Sequence, residues 1–118
     1  MARARASEVA AAYVEAINGQ RLDDLIGLFA EGAKLTHPFG VFDGHDALRE
    51  FYGDMVLPAD TKLTVESVVV EGSRAVLELS ARSPLAPDTP QYAIDLFEID
   101  AHGKIAELRI YYRNFDVG

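Results

Sequence analysis

The hydrophobic periodicity of this chain changes once, near Pro58, and that change restricts its fold more than any other feature. Upstream, apolar residues recur every three or four positions; downstream, every second position. SEVAAAYVEAIN places Val9, Tyr13 and Ile17 at four-residue spacing and predicts a helix capped by Ser7 and stopped near Gly19. RLDDLIGLFA, with Leu22, Leu25, Ile26 and Phe29 on one face, predicts a second helix broken by Gly32. AKLTHP alternates, putting Ala33, Leu35 and His37 on one side of a short strand that Pro38 ends. FDGHDALREFYGDM predicts a third helix, started near Asp43 and Asp46 and buried through Leu48, Phe51, Tyr52 and Met55. TKLTVESVVV, SRAVLELSAR, PQYAIDLFEI and GKIAELRIYYRNF then read as four longer strands, with SPLAPDTP as a long hairpin connection. This order predicts an α+β fold: three N-terminal helices packed on one face of a curved, mostly antiparallel sheet. No repeat or linker divides residues 1–118, so a single domain is expected.

Composition narrows the function. A hydrophobic fraction of 49% with 25% charged residues is that of a chain able to bury a core. The net charge of -8 disfavours phosphate backbones and anionic lipid surfaces, so neither nucleic acid nor membrane is an expected partner. A small uncharged ligand fits better. There is no cysteine, hence no disulfide framework and no thiolate nucleophile, and MARARAS lacks the apolar run of a signal peptide. A cytoplasmic location is expected. The chain has no Gly-rich phosphate loop and no GxSxG elbow, and its three histidines are not spaced as metal ligands. No cofactor or metal is called for.

Three residues carry possible chemistry. Asp95 alternates with Ala93, Phe97 and Ile99 on one face of a strand, so it lies among apolar neighbours. Burial disfavours a carboxylate, which makes Asp95 either a protonated hydrogen-bond donor or a structural carboxylate at a sheet edge. Tyr13 is either a core aromatic with its hydroxyl at a rim or a donor in a pocket. His37, on the apolar face of its strand, is either a structural turn residue or a catalytic base. His45, at a helix start, and His102, in a tight turn, are expected to be solvated. Alternation puts Leu108, Ile110 and Tyr112 on the inner face, and an outer face with Glu66, Glu78 and Arg82 among Val68 and Val76 suits a homodimer contact.

The segments AAYVEAINGQRLDDLIGLFAEGAKLTHPFG, DALREFY, AIDLFEID and GKIAELRIYY together resemble the ketosteroid isomerase family. Its superfamily also holds nuclear transport factor 2, scytalone dehydratase and SnoaL-like polyketide cyclases. The resemblance implies a cone-shaped, cystatin-like roll. It also implies that Tyr13 and Asp95 donate hydrogen bonds to a substrate carbonyl, with Tyr52 supporting the Tyr13 hydroxyl. His37 stands where that family carries its aspartate base. Phe29, Phe39, Phe51, Phe97, Leu108, Ile110 and Tyr112 would supply apolar walls for a hydrophobic ketone or phenol-like ligand. The expected activity is an enolising isomerase that shifts a double bond in a steroid-like ketone. The alternatives are a SnoaL-like cyclase or dehydratase, or a noncatalytic binding or dimerisation module.

Overall fold

The computed structural model describes residues 2–113. Helices α1 (Ala2–Asn18) and α2 (Leu22–Gly27) precede strands β1 (Phe29–His37) and β2 (Gly40–Asp43). Helix α3 (Gly44–Phe51) runs into a π-helical turn, Tyr52–Val56, and strands β3 (Lys62–Glu71), β4 (Arg74–Ser83), β5 (Ala86–Ile99) and β6 (Ile105–Tyr112) complete the chain. The six strands form one sheet in the order β2-β1-β6-β5-β4-β3. All neighbours are antiparallel except β1 and β6, which run parallel. The period-two half of the sequence is thus the β3–β6 meander, and the helices pack on the face that carries Ala75, Leu77, Leu79, Phe97 and Leu108. No helix among the described residues is long and apolar enough to cross a membrane.

Several boundaries differ from the sequence reading. Helix α1 begins at Ala2, so Ser7 lies inside it rather than capping it. At its other end Gln20, not Gly19, takes the left-handed conformation (φ 60°); the Gln20 N–H reaches the Ile17 carbonyl and the Arg21 N–H the Ala16 carbonyl. Helix α2 stops at Gly27 and Phe29 opens β1, because pairing with Ile105 of β6 overrides the helical spacing of LIGLF. Phe42 and Asp43, read as the start of the third helix, instead end strand β2, paired to β1 through Leu35 and Phe42. Met55, expected to be buried, is exposed, since the π-helical turn rotates it off the packed face. SPLAPDTP is mostly strand: Ser83 pairs with Ala86, leaving a two-residue turn. Val68 pairs with buried Leu77 and so lies on that face of the sheet, not on the face of Glu78, because an irregularity between Val65 and Ser67 shifts the alternation; it is nonetheless exposed. Asn114 and Phe115, placed by sequence in the last strand, lie outside the described residues.

The end of α1 is fixed to the edge strand by Asn18. Its amide donates to the Leu63 carbonyl at 2.9 Å and its carbonyl accepts from the Leu63 N–H at 2.7 Å. Both bonds are partly buried, so losing them leaves a β3 donor and acceptor without partners. Asn18→Ala is expected to lower stability by about 1–3 kcal/mol in urea unfolding; an unchanged midpoint would show that the clamp contributes nothing.

Candidate active site

Asp95 owes its position to β5, which runs between β4 and β6. Leu77 flanks it on one side and Ile110 on the other, so it stands mid-sheet, not at an edge. Alternation turns its side chain toward the helices, with Ala93 and Phe97 on the same face, and it is 3% exposed. Asp95 has no hydrogen-bond partner among the described residues, and burial pushes its carboxyl up to about 7.

Across from it, the four-residue stripe of α1 delivers Tyr13. The Tyr13 and Tyr52 hydroxyls lie 2.8 Å apart, Tyr52 being presented by the turn that follows α3. Phe97 meets the Tyr13 ring edge-on at 5.1 Å and Phe29 at 6.4 Å, which fixes its orientation. Burial holds both phenols well above their usual range, and the Asp95 charge adds to this. They remain O–H groups at any pH the protein meets.

His37 ends β1 and is 7% exposed. The turn at Pro38 brings the Phe39 N–H to His37 Nδ1 at 3.1 Å, while Nε2 lies 3.1 Å from the Tyr112 hydroxyl on β6. A backbone N–H can only donate, so Nδ1 is an acceptor and the ring proton of neutral His37 is on Nε2. Burial pushes the imidazole down to about 4 and the Tyr112 phenol up to about 12. In this arrangement the ring turns an N–H, not a basic lone pair, toward Tyr112.

These groups line one cavity of about 500 Å³, open mouth included. Tyr13, His37, Asp95, Phe51, Tyr52, Ile110 and Tyr112 are all on its wall. Four other expected wall residues are not. Phe29, Phe97 and Leu108 belong to the close-packed core behind the cavity, and Phe39 lies largely outside, its ring 5.0 Å from that of His37. The sequence reading missed Ile17, Val56, Thr61, Leu63, Leu79, Ala81 and Ala93 as wall residues. Two had a legible signal: Ile17 continues the Val9–Tyr13 stripe, and Ala93 shares a strand face with Asp95. His45 is not solvated as expected; its Nε2–H donates to the Phe29 carbonyl at 2.9 Å. His102 is exposed in the turn before β6.

Residues 10–108, which include every residue lining this cavity except Ile110 and Tyr112, match the family model of the SnoaL-like domain. The chain belongs to the SnoaL-like family. Solved structures carry the same fold. A cystatin-like protein of unknown function from Methylobium petroleophilum PM1 is 20% identical, with a TM-score of 0.83 over 98% of this chain and 80% of that one. The epoxide hydrolase/cyclase-like enzyme SalBIII, of pyran ring formation in the polyether salinomycin, is 22% identical, with a TM-score of 0.83 over 95% and 94%. A Mycobacterium tuberculosis protein in complex with estradiol-17beta-hemisuccinate is 12% identical, with a TM-score of 0.80 over 96% and 95%. This SnoaL-like chain therefore has the α+β, cystatin-like architecture that its segments suggested.

Proposed function

We propose that this SnoaL-like chain is an enolising enzyme for a hydrophobic, steroid-sized ketone, in which Asp95 carries the proton and Tyr13 holds the carbonyl oxygen. One observation carries the reading: a carboxyl with no hydrogen-bond partner among the described residues, pushed up to about 7 by burial, stands in an apolar cavity beside a phenol that stays protonated. A group with that pKa both accepts and returns protons near neutrality, which is the condition for efficient acid–base transfer. In the step, the Asp95 carboxylate takes the proton beside the carbonyl and the C–H pair forms a carbon–carbon double bond. The carbonyl pair moves to oxygen, where the Tyr13 O–H stabilises the charge. Return of the proton to the far end of the enolate gives the conjugated isomer. The 2.8 Å contact between the Tyr13 and Tyr52 hydroxyls allows either to donate; in the proposed step Tyr52 donates to the Tyr13 oxygen, and the Tyr13 O–H donates to the substrate.

The proton acceptor suggested by sequence, His37, is replaced in this proposal, since its Nδ1 is occupied by the Phe39 N–H. A cyclase reading is favoured by the likeness to a putative polyketide cyclase from Sinorhizobium meliloti; it uses the same two residues, with the enolate carbon attacking a second carbonyl, whose pair moves to its oxygen and takes the proton from Asp95. The steroid complex of the mycobacterial neighbour supports the size and polarity of the ligand.

Binding tests the oxygen site without turnover. 2-Naphthol, whose hydroxyl resembles an enol, is expected to bind in calorimetric titration, and Tyr13→Phe to weaken it about five- to tenfold, the scale of one buried hydrogen bond. Asp95→Asn, which keeps a polar group of the same size, is expected to bind within a few-fold of wild type. Equal affinity in wild type and Tyr13→Phe would remove Tyr13 from the oxygen site.

A further inference from the structure

The cavity opens onto a second space. Thr61, Ala81 and Tyr112 line both the cavity and a groove of about 450 Å³, whose wall is completed by Arg82, Ser83, Thr89 and Gln91. Cavity and groove therefore meet at those three residues. On the face that carries Asp95, β5 continues through Ala93 to Gln91, with Leu77, Leu79 and Ala81 opposite on β4. The four residues from Asp95 to Gln91 span about 13 Å of antiparallel strand. The wall between them is apolar, with Ala93, Leu79 and Ala81 on β5 and β4 and Leu63 beside them on β3. A fused-ring body fits that length.

The polarity changes at the mouth. The β4–β5 register slips between Ala81 and Ser83, and Ala81, Arg82 and Ser83 all line the groove instead of alternating. Arg82 is the charged side chain on this wall. Its guanidinium has no hydrogen bond or ion pair among the described residues, and the same holds for the Gln91 amide and the Thr61 hydroxyl. The neighbours are already committed. Lys62, opposite Arg82 on β3, is held by Asp60 at 3.2 Å and donates to the Asn18 carbonyl at 2.7 Å. The Ser83 hydroxyl donates to the Ala59 carbonyl and accepts from the Leu85 N–H. Arg21, Arg49, Arg74 and Arg109 each bridge to a carboxylate, so Arg82 stands apart from them in a chain of net charge -8.

We infer that this groove is a carboxylate subsite anchored by Arg82, with the Gln91 N–H and the Thr61 O–H as further donors, and that the ligand is a hydrophobic ketone carrying an acidic tail. The ketone end rests on the function proposed above; the subsite does not. A planar guanidinium matches the two oxygens of a carboxylate. A single arginine in an acidic chain suits a monoanion, whereas a phosphate dianion meets more repulsion than one guanidinium offsets. The tail also sets direction. A carboxylate cannot enter the apolar cavity without losing its hydration, so the acid stays at the mouth and the ketone goes in toward Tyr13 and Asp95.

Estradiol 17-hemisuccinate and its methyl ester share a phenol, a ring body and a tail, and differ by one charge. In calorimetry at low ionic strength wild type is expected to bind the acid about three- to fivefold more tightly, the scale of an exposed ion pair. The preference is expected to shrink at high salt, to persist in part in Arg82→Lys, and to reverse in Arg82→Gln, where the acidic field of the chain acts alone. Equal binding of acid and ester in wild type, or a preference that Arg82→Gln leaves unchanged, overturns the subsite. Decanoate tests the same groove with neither phenol nor ketone. Its titration is expected to move the Arg82 side-chain N–H signal in NMR of wild type, and decanol to leave that signal in place; no response to decanoate also overturns the subsite. If neither steroid binds and the decanoate response remains, the steroid-sized ligand falls and the subsite stands.

Discussion

Turnover of 5-androstene-3,17-dione, followed by the absorbance of its conjugated product, is expected to rise with pH through about 7 and to fall a hundredfold or more in Asp95→Asn. The rise follows from the role: only ionised Asp95 takes the proton, so log kcat/KM climbs as the carboxyl of the free enzyme deprotonates and levels off above it. The Tyr13 phenol, held far above the usual range, adds no basic limb near neutrality. His37→Gln is expected to keep turnover within about tenfold of wild type, because the donor survives and no base is lost. The competing assignment, with protonated Asp95 as donor and His37 as base, has the opposite sign: activity falls as pH rises through about 7 and has its acidic limb near 4. The direction of the slope at neutrality decides between them. A flat profile with no conversion above buffer would remove the isomerase and leave the cyclase reading.

Asp95→Asn is also expected to make the protein more stable, by on the order of 4 kcal/mol at pH 8 and by almost nothing below pH 4. The carboxyl rises from 3.8 in the unfolded chain to about 7 in the folded one, so its favourable contribution is complete below 3.8 and lost as pH climbs to about 7. Above that, folding must bury a charge that has no hydrogen-bond partner among the described residues. His37 runs the other way: depressed from 6.5 to about 4, it costs nothing above 6.5 and weakens the fold as pH falls toward 4. Between about 4 and 6.5 the two slopes oppose, so wild-type stability is expected to be nearly level there, whereas Asp95→Asn exposes the acid sensitivity of His37. Urea unfolding across pH reads both effects. An Asp95→Asn midpoint equal to wild type at pH 8 would show that Asp95 is solvated, and with it the acid–base role would go.

The period-two half of the chain was legible because strands β4 to β6 each have one face on the core and the edge strand β3 still alternates along part of its length. That same alternation placed Asp95, Ile110 and Tyr112 inward. Tyr13 was legible from its stripe. Phe29 was misread because LIGLF satisfies a helical spacing locally and only its partner in β6, far along the chain, makes it a strand. Strand β2 was missed because four residues are too few for a period to show. Phe29, Phe97 and Leu108 were read as cavity wall because inward-facing residues look alike in sequence, whether they meet a void or a neighbour. The chemistry of His37 was out of reach for a different reason: it depends on a backbone N–H two residues away, and no side-chain pattern records that direction.

The parallel pairing of β1 with β6 sets the order in which this molecule can be finished. Leu35 lies beside Leu108, so β1 waits for a strand made much later than itself. Until β6 leaves the ribosome, β1 has only the short β2 beside it, and the apolar faces of α1 and α3 cover a sheet that is not closed. Closing so long a loop is entropically slow, and topologies dominated by such contacts fold late. The cavity is therefore expected to form only once β6 is available, with β1 and its histidine joining β5 and its aspartate in one docking step. Truncations that remove β6 would then lose every part of the site together, rather than its far wall alone.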